Sequence, residues 1–224
     1  MKKGFVLAAA VSMLAASQSF AALSAGDIAF VSYNADGDDT FSFIALVDIP
    51  GSEEIKFTDN GWYSAGSFRA NEGIKTWTAP AGGVAAETIV TINATANTAS
   101  AGTVASSGSM AISTSGDQIL AYQGLEASPT FITAINNEGA GVWQSDATSS
   151  NTSALPTGLT DGTNAIAIDE ADNAAYTGAT SFANAAAARA AINDSANWTG
   201  DNSANQTPPA SISLPVELDS FQID

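Results

Sequence analysis

The sequence predicts a mainly β protein, an antiparallel β-sandwich with one short α-helix in the C-terminal half. Roughly eight segments of strand length, rich in β-branched and aromatic residues, alternate with turns that contain Gly, Asn and Asp. One of them, residues 41–49, is largely apolar on both faces, as expected of a strand that is covered on both sides. Only one late segment has the alanine-rich composition of a helix.

The first 21 residues have the pattern of a secretory signal peptide. Lys2 and Lys3 supply a positive start, residues 5–16 form an apolar stretch too short to span a bilayer, and residues 19–21 (Ser-Phe-Ala) form a small-x-small cleavage site. We therefore expect a secreted protein, extracellular or at the cell surface. Its mature chain should begin at Ala22 and form a single β-sandwich domain over residues 22–224.

The charge of the chain limits its partners. Cleavage would leave four basic residues against 23 acidic ones, a net charge of −19. Such a polyanion repels phosphate backbones, so nucleic acid is excluded as an expected partner. The chain has no cysteine, which excludes a disulfide framework, and no later apolar segment is long enough to predict a transmembrane span.

The first expected element is a hairpin around residues 34–39, Asn-Ala-Asp-Gly-Asp-Asp. Asn, Asp and Gly tolerate the positive φ angles of tight connections. In the next strand, residues 54–59, apolar and polar residues alternate, which predicts Ile55 and Phe57 inward and Thr58 outward. A further strand at residues 73–79 should bury Trp77.

Four more strands are expected further along the chain, at residues 88–93, 118–123, 129–136 and 165–168. In the third of these, alternation places Phe131, Thr133 and Ile135 on one side. The Ala-, Ser-, Thr- and Gly-rich residues 94–116 are expected to form a surface excursion. Residues 137–163 are expected to form a long loop, anchored by Trp143, Leu155 and Leu159.

The helix is expected over residues 181–193. Ser181 can accept hydrogen bonds from the first backbone donors, and alanine, the best helix former, fills the interior. Beyond it, residues 211–224 alternate and then change phase near Asp219 and Ser220. This predicts a final strand with a β-bulge beside a sheet edge.

Several motifs together resemble a known bacterial module. They are GDIAFVSYNADGDDTFSFIALVDI, EIKFTDNGW, FRANEGIKTWTAPAGG, STSGDQILAYQG, PTFITAINN and AAINDSANWT, and they span about residues 25–199. The chain resembles a recurring lamin-tail-like or immunoglobulin-like β-sandwich module of secreted and surface proteins of bacteria, mainly Gram-negative ones. The resemblance implies an extracellular sandwich without established catalytic residues.

Clustered acids in two loops predict calcium binding. Ca²⁺ takes 6–8 oxygen ligands, commonly from closely spaced Asp and Asn side chains on loops. The first candidate set is Asn34, Asp36, Asp38 and Asp39, and the second is Asp169, Glu170 and Asp172. The alternative is that these residues form turns and supply solubilising charge.

Two other kinds of site are open to this chain. Trp62 and Tyr63 follow a turn and are candidates for stacking on the sugar rings of a polysaccharide, although tryptophans more often fill a sandwich core. The chain has no histidine or cysteine, so catalysis would fall to paired carboxylates in a cleft, as in glycosidases. The available acids are Glu53, Glu54, Glu72, Asp117, Asp169 and Glu170.

The leading functional prediction is a non-catalytic structural or adhesive protein of the cell surface or extracellular matrix, calcium-dependent and self-assembling into an oligomer or polymer. The surface composition is poor in lysine, and edge strands without basic residues invite pairing with another copy. Bridging by calcium would offset the repulsion between anionic subunits. The alternatives are a carbohydrate-binding surface module and a carboxylate-dependent hydrolase.

Overall fold

The computed structural model describes residues 22–215. It confirms a mainly β protein in which two six-stranded sheets face each other across a shared core. The expected signal peptide, residues 1–21, lies outside the described residues, as does the bulged end of the expected last strand after Pro215.

The described chain forms fourteen strands and one α-helix. In chain order they are β1 (Ile28–Asn34), β2 (Thr40–Ala45), β3 (Glu54–Thr58), β4 (Trp62–Tyr63), β5 (Ser67–Phe68), β6 (Ile74–Thr78), β7 (Ile89–Asn93), β8 (Thr98–Ala99), β9 (Thr103–Ser107), β10 (Gln118–Leu125), β11 (Ser128–Asn136), β12 (Ile166–Ala167), β13 (Asn173–Tyr176), α1 (Ala185–Ile192) and β14 (Trp198–Asp201).

The two large sheets, called the first and the second sheet below, have the strand orders β14-β13-β1-β2-β7-β8 and β12-β11-β10-β3-β6-β9. Every pair in them is antiparallel except β11 with β12, which is parallel. The short strands β4 and β5 pair separately.

The expected first hairpin is present. β1 and β2 pair from Ile28–Ala45 at one end to Asn34–Thr40 at the other, and Gly37 in the turn has a φ of 73°. The second strand ends at Ala45 rather than extending to residue 49. Every residue of β1 is buried, because the hairpin lies in the middle of the first sheet and is covered on both faces.

Aromatic rings fill the space between the sheets. The Phe57 ring of β3 lies 5.0 Å from Phe41 and 5.4 Å from Phe43, centroid to centroid, and Phe43 meets Trp77 edge to face at 5.3 Å. Trp77 is fully buried, as predicted. Aromatic pairs at these separations stabilise the core by about 0.5–1.5 kcal/mol each beyond the area they bury.

Each sheet also has a covered outer face. Helix α1 packs Ala188 and Ile192 against the first sheet, and buried Ile212 of the C-terminal segment joins them. On the second sheet, Trp62 and Leu159 cover residues of β10 and β11. The segments that cover these outer faces come from parts of the chain distant from the strands they cover. The inner strands are apolar on both faces because both faces are covered.

Several sequence expectations were wrong in detail. Residues 94–116 contain β8 and β9 rather than only a surface excursion. Thr58 is buried, because its hydroxyl donates to the carbonyl of Gly73 at 2.7 Å. Phe131 and Ile135 lie in different clusters, since the β10–β11 register shifts between Ala121 and Tyr122 and alternation does not hold across a bulge.

The helix begins later than predicted. It starts at Ala185, and its N-cap is Asn184, whose side chain accepts from the backbone N–H of Ala187 at 2.9 Å. Ser181 instead forms an isolated bridge with Ser213. The sequence patterns also missed β13 and β14, whose alanine, glycine and polar residues carry no strand signal.

Candidate functional site

The four side chains of the first predicted calcium site point to different partners. Asn34 is buried and holds Gln206, accepting from its backbone N–H at 2.6 Å and donating to its carbonyl at 3.0 Å. Asp36 accepts from the Asn173 amide at 2.7 Å, and Asp38 accepts from that of Asn93 at 2.9 Å. These residues fasten the β1–β2 turn to three neighbouring segments.

The second predicted calcium set lies in the turn between β12 and β13. Asp169 and Glu170 are exposed, while the backbone N–H of Asp172 donates to the Asn202 side chain at 3.1 Å. Within residues 22–215 there is no group of three or more acidic side chains placed to hold a metal ion. Calcium binding at either set stays a prediction without geometric support.

Trp62, a candidate for stacking on a sugar ring, lies in a position that matches the core-filling alternative. Its side chain is only 4% exposed and meets the rings of Phe68 and Phe131 edge to face, with centroids 5.0 and 4.8 Å away. The indole N–H donates to the Thr157 hydroxyl at 3.3 Å. Trp62 therefore covers the second sheet, while its neighbour Tyr63 is half-buried.

The most organised polar feature is a set of three carboxylates around the loop after β9, called the carboxylate clamp below. Three consecutive backbone N–H groups of this loop each donate to a different aspartate. The pairs are Ala111 to Asp59 at 2.8 Å, Ile112 to Asp39 at 3.1 Å and Ser113 to Asp117 at 3.0 Å.

The aspartates of the clamp come from three different places in the chain: after β3, before β2 and before β10. Two of them use both oxygens. Asp59 also accepts from Gly73 at 3.0 Å, and Asp117 also accepts from Gln118 at 2.9 Å. The clamp thus ties one loop to both sheets.

Burial governs the protonation of these acids. It raises the pKa of Asp59 and Asp39 and raises the pKa of Asp117 to about 9, although the backbone N–H bonds oppose each shift. Burial also lowers the pKa of Lys75, whose cation is in turn favoured by Asp59 and Asp39. The clamp is a group of coupled charges whose stability depends on pH.

Of the acids offered to a hydrolase, Glu72 has the environment closest to that of a general acid. Its pKa is raised to about 7 by burial and by the charge of Asp59, and it lines a cavity of about 220 Å³ together with Arg69 and Glu126. Its Oε2 atom is buried without a hydrogen-bond partner. Asp117, by contrast, is 2% exposed and holds backbone N–H groups.

Strand β9 is an edge of the second sheet. It pairs with β6 from Thr78–Thr103 to Ile74–Ser107, and no other strand within residues 22–215 pairs with its outer side. Its five residues, Thr-Val-Ala-Ser-Ser, carry no charge, and all but Val104 are exposed. It is longer than the other edge strands β8, β12 and β14.

The ends and the middle of this edge are held in place. Gly102, just before β9, has a φ of 81°, and a Cβ there would lie 2.8 Å from the Trp77 indole nitrogen. Lys75 of β6 points inward and donates to Asn97 at 2.7 Å and to the Ser106 hydroxyl at 2.9 Å. It is 4% exposed, so it does not protect the edge as a surface lysine would.

Comparison of the chain with protein-family models, curated proteins and solved structures gives no match. The resemblance to secreted sandwich modules therefore stays an expectation. Among the described residues, no helix has the length and apolar character needed to cross a membrane. No sequence pattern marks Asp59 as a site residue or groups Asp39 with Asp117, because the convergence of these three aspartates depends on how the strands pair.

Proposed function

We propose that the protein is an exported, non-catalytic structural or adhesive β-sandwich that associates with copies of itself by strand addition along β9. The observation that carries this proposal is the β9 edge, which is exposed, uncharged and without a strand partner on its outer side among residues 22–215. Natural sheets usually block such edges with lysine, proline or a bulge. β9 has none of these over Thr103–Ser107.

Two geometries of association follow from the symmetry of the contact. Pairing of β9 with β9 of a second copy is self-complementary and closes into a dimer, whereas pairing with a different edge continues into a polymer. The second sheet would run on across the interface in either case. Particle size distinguishes the two.

The strength of the contact is limited by the length of the strand. Each backbone hydrogen bond contributes about 0.5–1.5 kcal/mol net, while association itself costs about 4–15 kcal/mol. A five-residue edge therefore supports weak, reversible pairing by itself. We expect assembly to increase with protein concentration, because a weak contact is populated only when the concentration approaches its Kd.

Charge opposes this association, and cations would relieve it. The chain carries a formal net charge of −17, so two copies repel each other at low ionic strength. Divalent calcium screens and bridges carboxylates more effectively than sodium does. We propose that calcium promotes assembly through this general effect on surface acids.

The test compares Ala105→Lys in the middle of β9 with Ala127→Lys at the exposed tip of the β10–β11 hairpin. Both variants add the same charge at an exposed alanine. Light scattering, with and without about 1 mM calcium, should show dimers or larger particles for the wild type and for Ala127→Lys but only monomers for Ala105→Lys. Negative-stain microscopy then shows whether a polymer forms. Equal assembly of both variants, or a wild type that is monomeric throughout, would refute the proposal.

A further inference from the structure

A cleft lies on the opposite edge of the first sheet from β8. It has a volume of about 620 Å³ and runs between edge strand β14 of the first sheet and the segment that follows edge strand β12 of the second. That volume is within the ~300–1,000 Å³ range of small-molecule sites. The function proposed above does not use this cleft.

Small residues form part of the cleft wall. Ala171 lines it from the turn before β13, Ala174 from β13 and Gly200 from β14. A Cβ added at Gly200 would lie 2.7 Å from the Cβ of Ala171, so no larger residue fits there without moving the wall. A side chain at position 200 would therefore change the shape of the cleft.

One wall of the cleft carries an aromatic ring in a fixed orientation. Trp198, the first residue of β14, is half-buried and packs against the apolar clusters of both the core and the first sheet's outer face. Its indole N–H donates to the carbonyl of Ile192 at the end of α1 at 2.8 Å. Trp198 is also one of the residues that line the cavity.

The rim of the cleft is polar and acidic. Asp169, Glu170 and Asp201 are exposed there, and Asn202 adds an amide. Asp201 already accepts from the backbone N–H groups of Ser203 and Ala204, both at 2.8 Å. Both of these bonds go to Oδ1 of Asp201, so all three rim carboxylates can offer an oxygen to the hydrogen-bond donors of a ligand.

We propose that this cleft binds a neutral saccharide. A sugar ring has an apolar face of C–H groups that packs on an indole, and a rim of hydroxyl donors that suits carboxylate and amide acceptors. Among residues 22–215, no lysine or arginine lines the cleft, so it disfavours anionic sugars. The acids there do not form a group that holds a metal ion.

The indole N–H signals of the protein report binding directly. The chain has four tryptophans, Trp62, Trp77, Trp143 and Trp198, and each gives one indole resonance in a ¹⁵N-labelled sample. We expect titration with maltohexaose, cellohexaose, xylohexaose and chitohexaose to shift the Trp198 signal with at least one of the four. An oligogalacturonate of the same length should not shift it.

Variants then assign the contacts. Trp198→Ala should weaken binding at least tenfold, and Trp143→Ala, which removes another half-buried indole, should leave it unchanged. Because Trp198 also supports packing, Glu170→Gln provides a second variant on the exposed rim, expected to weaken binding about threefold while the melting temperature stays the same.

Two results would overturn the proposal. One is the absence of any Trp198 shift with all four neutral sugars at up to about 10 mM, ten times a millimolar Kd. The other is binding that Trp143→Ala abolishes and Trp198→Ala preserves. Neither result depends on whether the protein assembles along β9.

Discussion

Replacement of Asp59 tests the carboxylate clamp. Both oxygens of this side chain are acceptors, one from Gly73 and one from Ala111, and the residue is 1% exposed. Asparagine has the same shape but only one acceptor oxygen, so its NH₂ group would face a backbone N–H. We therefore expect Asp59→Asn to be nearly as destabilising as Asp59→Ala.

The size of the effect follows from the donors left without a partner. Each buried backbone N–H without an acceptor costs about 1–3 kcal/mol. Removal of the carboxylate also removes the cost of burying its charge, which is seen in the raised pKa of Asp59. This gain in the free energy of unfolding offsets part of the loss. We expect a loss of about 2–4 kcal/mol, which lowers the melting temperature of a domain of this size by about 5–15 °C.

Thermal and urea unfolding monitored by circular dichroism measure this loss. Asp38→Asn is the matched control, since Asp38 is exposed and accepts a single hydrogen bond, from Asn93. That variant should stay within about 0.5 kcal/mol of the wild type. An Asp59→Asn protein as stable as the Asp38→Asn protein would show that the loop after β9 is not held by this carboxylate.

Two further predictions concern the acids and the aromatic residues. Since Glu72 has its pKa raised from 4.5 to about 7 in the folded state, that state binds its proton more tightly, and the free energy of unfolding should fall as pH rises from about 4.5 to 7. Glu72→Gln should make this slope shallower in melts across that range, and an unchanged slope would contradict the assignment. Trp62→Ala should cost about 3–5 kcal/mol in urea unfolding, whereas Tyr63→Ala should cost less than about 1.5 kcal/mol; equal losses would contradict the buried position of Trp62.

Strong local patterns were enough to predict many of the elements. The Asn-Ala-Asp-Gly-Asp-Asp turn lies between two apolar strands, and the structure places the first hairpin there. Trp77 and the alternation of Ile55 with Phe57 predicted core positions, which are all fully buried. These predictions succeed because turn chemistry and period-two alternation act over a few residues.

The missed elements depend on partners far away in the chain. β13 and β14 consist largely of small or polar residues, and they are strands because β13 pairs with β1 and β14 pairs with β13. β9 is likewise a strand because it pairs with β6. A strand that is stabilised mainly by hydrogen bonds to its neighbour's backbone does not need alternating apolar residues, so its sequence contains no pattern that predicts a strand.

The sequence by itself determined the class of this protein: a mainly β chain with a strongly anionic composition, no cysteine or histidine, and one alanine-rich helix. Only the tertiary structure decided what the acids and tryptophans do. Asp39, Asp59 and Asp117 meet around one loop, and Trp62 is buried while Trp198 lines a cleft. The physical reason is that composition and alternation are local properties, whereas burial and the partners of a side chain are set by which strands pair across long stretches of sequence.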